Sequence, residues 1–568
     1  MNRVGDDAIT FVVGTGDVEE QMPNAVNFAK WQRRFVLVIR GALLAMLAFF
    51  LIFIPITVTQ AQESGQVPRK FDPAEIKLQP GYHIEVLIDN LSVLTTGIFD
   101  GKDLLLAESG WANTAPPRIL RITPDWQVQV VASEGLQAPV TGLAMVNGKL
   151  YISHKGKVSV LDGGALKDIV TGLPSDGDHQ NNNIVLGPDG KLYMGQGTTT
   201  NSGVVGVDNY IFGWLPEHPQ AHEIPCQDVT LVGQNFESEN PLTPDPNDKV
   251  TTGAYKPFGT PSTPGEVIKG NPKCGGSIVR FNPDGSDFEV YAWGLRNPFG
   301  LKFDAKGQLW ATYHGADVRG SRNIFNDPDH LIRVAQGAWY GWPEYFDDAP
   351  VTEARFQAPG KEQPQFLWQS HPPLAKAFAK FASHEGVNGL ALAPGGAFGY
   401  PNNAFLAMFG TFAPLTTGVN IQPAGFRVIR VDLTTGQSFD FASNLIPGPG
   451  YVTQHNGFDR PSDVVFAPDG SLYVIDWGAA TLTTEGLKLS PNTAAVWRIY
   501  SDSMQPLRPN GPLVVPSAPT IPPAERKPEV RNVPELYEML APEIVGIVAL
   551  ILAVVVVAFV FVMRWVRR

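Results

Sequence analysis

Between Tyr82 and Tyr500 the chain alternates short apolar runs with glycine-containing corners, and one phrase keeps returning. It reads FDGKDLLLAESG at Phe99–Gly110, VNGKLYISHKG at Val146–Gly156 and GPDGKLYMGQG at Gly187–Gly197, then FDAKGQLWATYHG at Phe303–Gly315 and APDGSLYVIDWG at Ala467–Gly478. Asp-Gly and Asn-Gly corners supply the positive φ that a tight hairpin requires. Early copies recur at about the forty-residue length of one four-stranded propeller blade. RILRIT (Arg118–Thr123), SIVRFN (Ser277–Asn282), RVIRVD (Arg427–Asp432) and VWRIY (Val496–Tyr500) read as strands that complete blades. The pattern predicts an all-β protein built as a β-propeller. A β-sandwich is the alternative, and it leaves the repeat unexplained.

Two stretches depart from this alternation. Residues 35–58 (FVLVIRGALLAMLAFFLIFIPITV) and the segment within 542–563 that ends IVGIVALILAVVVVAFVFVM are apolar over the roughly 20 residues needed to cross a bilayer. Lys30, Arg33 and Arg34 precede the first, and Arg564, Arg567 and Arg568 follow the second. The positive-inside rule places both outer ends, residues 1–34 and 564–568, in the cytoplasm, with everything between on the far side. A cleaved signal peptide is the competing reading of the first segment, with Thr59–Gln62 near the cut. The expected organisation is thus a propeller over 66–502, flanked by an N-terminal and a C-terminal transmembrane helix. A proline-rich stalk over 503–541 leads to the second anchor. Residues 201–272, rich in Pro, Asn, Asp and Thr, read as an inserted loop over one face.

Composition sharpens this. The 57 glycines and 49 prolines suit a turn-rich fold, and a net charge of −12 excludes a nucleic-acid partner, which requires a basic footprint. The two cysteines, Cys226 and Cys274, both fall in the exported part, where they predict a disulfide closing a loop. No C-x-x-C-H is present, so no haem attaches to this chain by that motif.

Ligands of propellers gather where the inner strands converge on the axis. His179 stands just before the strand phrase NIVLGPDG, Arg296 and Asn297 hold the same place in GLRNPFGLKFDAKG, and Arg460 does so in RPSDVVFAPDG. Three blades therefore offer one rim an imidazole, a guanidinium with an amide, and a second guanidinium. Positive charge nearby disfavours the imidazolium, leaving His179 ready to accept a proton, while the cations suit an anionic cofactor or substrate. The same residues also fit a structural role, His179 as a turn residue and the arginines as ties between inner strands. His218 and His222 stand four apart without a third ligand, and Asp327 and Asp329 suit a turn.

GLPSDGDHQ followed by GPDGKLY, then GLRNPFGLKF, GAWYGWP (Gly337–Pro343) and RPSDVVFAPDGSLYV, in that order, resemble the glucose/sorbosone dehydrogenase family of pyrroloquinoline-quinone enzymes. The resemblance runs over about Tyr82–Tyr500 and implies a six-bladed propeller. It also implies oxidation of a sugar or aldehyde, with His179 as base, Asp178 and Gln137 against substrate, and Arg296, Asn297 and Arg460 against the quinone. The carbonyls of Gly315 and Ala316 are then implied to hold calcium. Electrons would pass to a membrane quinone or cytochrome, in reach of a membrane complex. Two departures stand out: no lysine occurs in Phe409–Gly418 or Gly425–Asp432, where the family holds its quinone, and Ser462 replaces a second arginine. The alternatives are a non-catalytic propeller subunit docked on a membrane electron-transfer complex and, in third place, a calcium-dependent lactonase-like hydrolase.

Overall fold

The computed structural model describes residues 69–518, except 114, 419–420, 484–485 and 509. The two apolar segments 35–58 and 544–563 lie outside the described residues. Among the described residues no helix is long and apolar enough to cross a membrane.

Six antiparallel sheets, here blades 1 to 6, follow one another along the chain. Their inner strands are Leu94–Asp100, Val140–Val146, Asn181–Leu186, Asn297–Phe303, Val387–Leu392 and Pro461–Phe466. Each packs against the next, and the sixth packs against the first, so the ring is closed. Blade 6 is completed by the N-terminal strand Tyr82–Leu91, which pairs with Ala494–Ser501. The repeated phrase forms the hairpin from inner to second strand in every blade that carries it. At Val146–Gly156, for instance, Asn147 and Gly148 both adopt positive φ, 50° and 74°, as the tightest hairpin corner needs.

A polar device, absent from the hydrophobic pattern, ties the blades together. Every inner strand slips register against its neighbour near its start, and such bulges re-aim side chains. Thr95 donates to the Val140 carbonyl (2.7 Å), Thr141 to that of Asn181 (2.5 Å), Asn182 to that of Pro298 (2.9 Å) and Ser462 to that of Leu94 (2.8 Å). Between these staples lie apolar layers, such as Val158, Val160, Met194 and Phe281 between blades 2 and 3. Trp293, the last residue of the outer strand of blade 3, packs with Trp339 and Trp368.

The insertion enters between the second and third strands of blade 3. It carries a short helix, Val207–Ile211, and a hairpin, Asn235–Glu239 with Lys249–Gly253. Cys226 and Cys274 form the expected disulfide. At the other end, the stretch expected to be stalk begins as part of the globule. Strand Leu513–Val514 runs parallel to Ile88–Asp89, and Val515 is fully buried against Leu87, Ile88 and Leu91. Two apolar residues among the prolines outweigh the local bias toward an extended tether.

Candidate active site

In every blade the inner strand starts, and the second strand ends, at the same face of the ring; this is the site face. His179 lies in the connection from blade 2 to blade 3. Its backbone N–H and Nδ1 both face the Thr198 carbonyl, at 3.2 and 3.0 Å. Nδ1 is therefore the protonated nitrogen, and the lone pair is on Nε2. Burial pushes the His179 pKa well below its ordinary value, helped by the charge of Arg296, by His314 and by Arg319. The ring is thus neutral and basic at one atom.

Gly197 explains how His179 comes so near the next blade. An added Cβ there would lie 2.3 Å from His179 Cβ and 2.5 Å from Asn297 Oδ1. Asn297 then opens a chain of hydrogen bonds across three blades. Its Oδ1 accepts from Asn182 (2.7 Å), its Nδ2 donates to His314 Nδ1 (3.1 Å), and His314 Nε2 donates to Asn388 Oδ1 (2.7 Å). His314 is a central member of this chain.

Arg296 donates from NH1 to the Gly315 carbonyl (2.7 Å) and from NH2 to Asp317 (2.8 Å). Beside it Arg319 meets three carboxylates, Asp208 at 2.5 Å, Asp178 at 2.7 Å and Asp317 at 3.1 Å. Burial alone would raise Asp317, but Arg296 and His384 hold it below the usual carboxylate range. Burial raises Asp208 to about 6 against the pull of Arg319. Both oxygens of Asp178 are committed within the protein, to Arg319 and to Asn209 (3.0 Å) and Trp214 (2.7 Å). The expectation that Asp178 faces a substrate therefore finds neither of its oxygens free.

Glu223 backs the same segment from the insertion. It is 2 % exposed, takes hydrogen bonds from the Thr200 amide and hydroxyl, and is raised to about 7 by burial. The disulfide three residues later fixes this loop against blade 3.

The remaining expected residues sit elsewhere on the face. Arg460 starts the inner strand of blade 6, but its guanidinium is enclosed by Phe409, Phe412 and Phe426, 3.7 Å from the Phe412 centroid. It donates to the Gly410 carbonyl (2.9 Å). Gln137 donates its backbone N–H to His154 (3.0 Å) and lines a separate depression with Lys155 and Asp176. His218 faces Asp176 and His222 the Gln220 carbonyl, so they form no metal pair.

Two implied groups can be tested against these donors. Arg296 Nε is buried without a partner among the described residues, and an orphaned donor on a cation suits an oxygen of an anionic quinone, whereas the guanidinium of Arg460 is spent on its phenylalanine enclosure and the Gly410 carbonyl. Pyrroloquinoline quinone fits the Arg296 donor. The calcium expectation fares differently, because Arg296 already donates to the Gly315 carbonyl and would repel a cation there. The carboxylates next to it, Asp327 and Asp329, receive the Ala316 amide (2.6 Å) and the Gly315 amide (2.8 Å). The Gly315–Ala316 turn as folded does not fit a calcium ion, and Asp327 and Asp329 serve as the clasp of that turn.

The site face of this six-bladed propeller thus brings together a neutral histidine, buried guanidinia and a chain of amide and imidazole hydrogen bonds. Residues 260–389 match the family model described as Glucose / Sorbosone dehydrogenase. The chain is 28% identical over 213 residues to quinoprotein glucose dehydrogenase B of Acinetobacter calcoaceticus, covering 37% of this chain and 35% of that one. The chain thus spans about a third of the length of this curated relative. Among solved structures, the PQQ-bound aldose sugar dehydrogenase of Streptomyces coelicolor matches at 17% identity and TM-score 0.41, over 75% of this chain and 99% of that one. The pyranose dehydrogenase PQQ domain of Coprinopsis cinerea matches at 12% and 0.47, over 77% and 98%.

Proposed function

We propose that this protein is a membrane-anchored quinoprotein dehydrogenase that oxidises a sugar or related aldehyde on the extracytoplasmic side. The observation that carries the reading is His179, neutral, oriented through Nδ1 by the Thr198 carbonyl and free at Nε2, close to Arg296 with its unpartnered Nε. In this reading Nε2 takes the hydroxyl proton of the substrate. Asn297 and Arg296 hold quinone oxygens, and the carboxylates around Arg319 keep the base in place. When bound, pyrroloquinoline quinone supplies the hydride acceptor. A membrane quinone or a cytochrome then receives the electrons.

Two observations favour a second reading, a non-catalytic subunit docked on a membrane complex. Arg296 and Arg319 are already neutralised by carboxylates, and the family lysine is missing. The full chain in detergent, mixed with pyrroloquinoline quinone and passed through a sizing column, separates the two. Retained quinone absorbance and dye reduction by aldoses, abolished in His179→Ala with the quinone still bound, support the enzyme. No uptake at micromolar quinone overturns it.

A further inference from the structure

Both ends of the described chain leave the propeller at the site face. At the start, Arg69 donates to the carbonyls of Thr493 (2.6 Å) and Gly457 (2.7 Å) and pairs with Asp476 (2.6 Å). Thr493 and Asp476 border the connection between the second and third strands of blade 6, and Gly457 lies in the connection from blade 5 to blade 6. Both connections belong to the face that carries His179. At the other end, the Val515 carbonyl accepts from Asn90 (2.6 Å) and that of Pro516 from Arg118 (2.9 Å). Asn90 approaches the turn into blade 1, and Arg118 opens its third strand. These too lie at the site face.

The same face carries a cluster of uncovered apolar side chains. Leu445 is 53% exposed, Ile446 45%, Val452 52% and Ile421 37%. The first three lie in the connection from blade 5 to blade 6, and Ile421 lies in the neighbouring connection within blade 5. Pro423 lies 3.5 Å from the position of a Gly448 Cβ, which joins the two loops. The cluster adjoins the emerging chain: the Leu445 amide donates to the Glu75 carbonyl (2.8 Å) and the Asp72 amide to that of Asn456 (2.9 Å). Single exposed apolar residues are ordinary, but a cluster marks an interaction surface.

Tether length names the occupant. Ten residues separate Arg69 from the apolar segment that ends at Val58, a reach of at most about 35 Å when fully extended. A blade strand of seven residues already spans about 23 Å between faces, so a tether routed around the rim to the opposite face would be almost spent on the detour.

Resting on the membrane-anchored reading above, we infer that the site face is turned toward the bilayer and that Ile421, Leu445, Ile446 and Val452 bed into its headgroup layer. The mouth beside His179 then opens toward the lipid surface, where an apolar electron acceptor concentrates.

The test uses the full chain reconstituted in vesicles of phosphatidylcholine and phosphatidylglycerol. Both native cysteines are bonded to each other, so Val452→Cys takes one environment-sensitive dye, and Leu186→Cys, 41% exposed at the far end of an inner strand, takes the same dye on the opposite face. Lipid-borne quenchers should dim the Val452 label at least about twofold and leave the Leu186 label unchanged. Quenching at Leu186, or at neither site in protein that floats with the vesicles, overturns the orientation while leaving the anchors intact. A chain that does not float with vesicles at all overturns the membrane reading and this inference with it.

Discussion

Replacing Gly197 by alanine tests the centre of the site with the smallest possible change. Gly197 is not in the left-handed region, so alanine costs nothing in backbone conformation. The added methyl would instead sit 2.3 Å from His179 Cβ and 2.5 Å from Asn297 Oδ1, short of ordinary contact by about 1 Å. Neither neighbour can swing away. His179 is held at its own amide and at Nδ1, and Asn297 is fixed by Asn182 and His314. Overpacking of this kind costs about 1–3 kcal/mol of stability, and displacing a base by about 1 Å costs about 10²-fold in turnover. Urea unfolding measures the first, and dye reduction per bound quinone measures the second. Wild-type stability together with wild-type turnover would refute the claim that Gly197 lets these two side chains meet.

Further outcomes bear on the electrostatics. Glu223 and Asp327 are both raised by burial to about 7, so the folded protein binds more protons than the unfolded chain between about pH 4.5 and 7. Stability should fall as pH rises through that window, and Glu223→Gln should flatten the slope in urea titrations at several pH values. The acid limb of kcat/KM should lie well below pH 6.5, because burial and Arg296 keep His179 neutral; a limb at or above 6.5 counts against a buried base. Arg319→Met strands Asp178 and Asp208 as buried charges and should cost about 3–5 kcal/mol in urea unfolding. Quinone titration followed by absorbance should give weaker binding at high salt, since guanidinia hold the anion; salt-independent binding would point to other contacts.

The blades were legible because their signal is local: a two-residue corner between two apolar runs declares a hairpin wherever it occurs. His179, Arg296 and Asn297 were legible for a related reason, since each stands at or just before the start of an inner strand, and those starts all lie at one face. What surrounds them was not. Arg319, Asp317 and Asn388 reach the site from connections and a strand of blades 4 and 5, while Asp208 and Glu223 come from the insertion, and nothing in their own sequence neighbourhood marks them. Arg460 illustrates the opposite failure, for its position was readable but its aromatic enclosure, built by a loop of blade 5, was not. The staples through Thr95, Thr141, Asn182 and Ser462 recur at one place in the repeat, as polar residues one or two positions into the inner strand, and could have been found by aligning the phrases on that position.

The pairing of Tyr82–Leu91 with Ala494–Ser501 has a consequence for the newborn chain. This early strand must wait for some four hundred residues to be synthesised before its neighbour exists, with Leu87, Ile88 and Leu91 uncovered meanwhile. Closure is therefore the last event in assembling the ring, and any premature stop before Ala494 should leave a sticky, unfinished arc for quality control rather than a smaller working wheel.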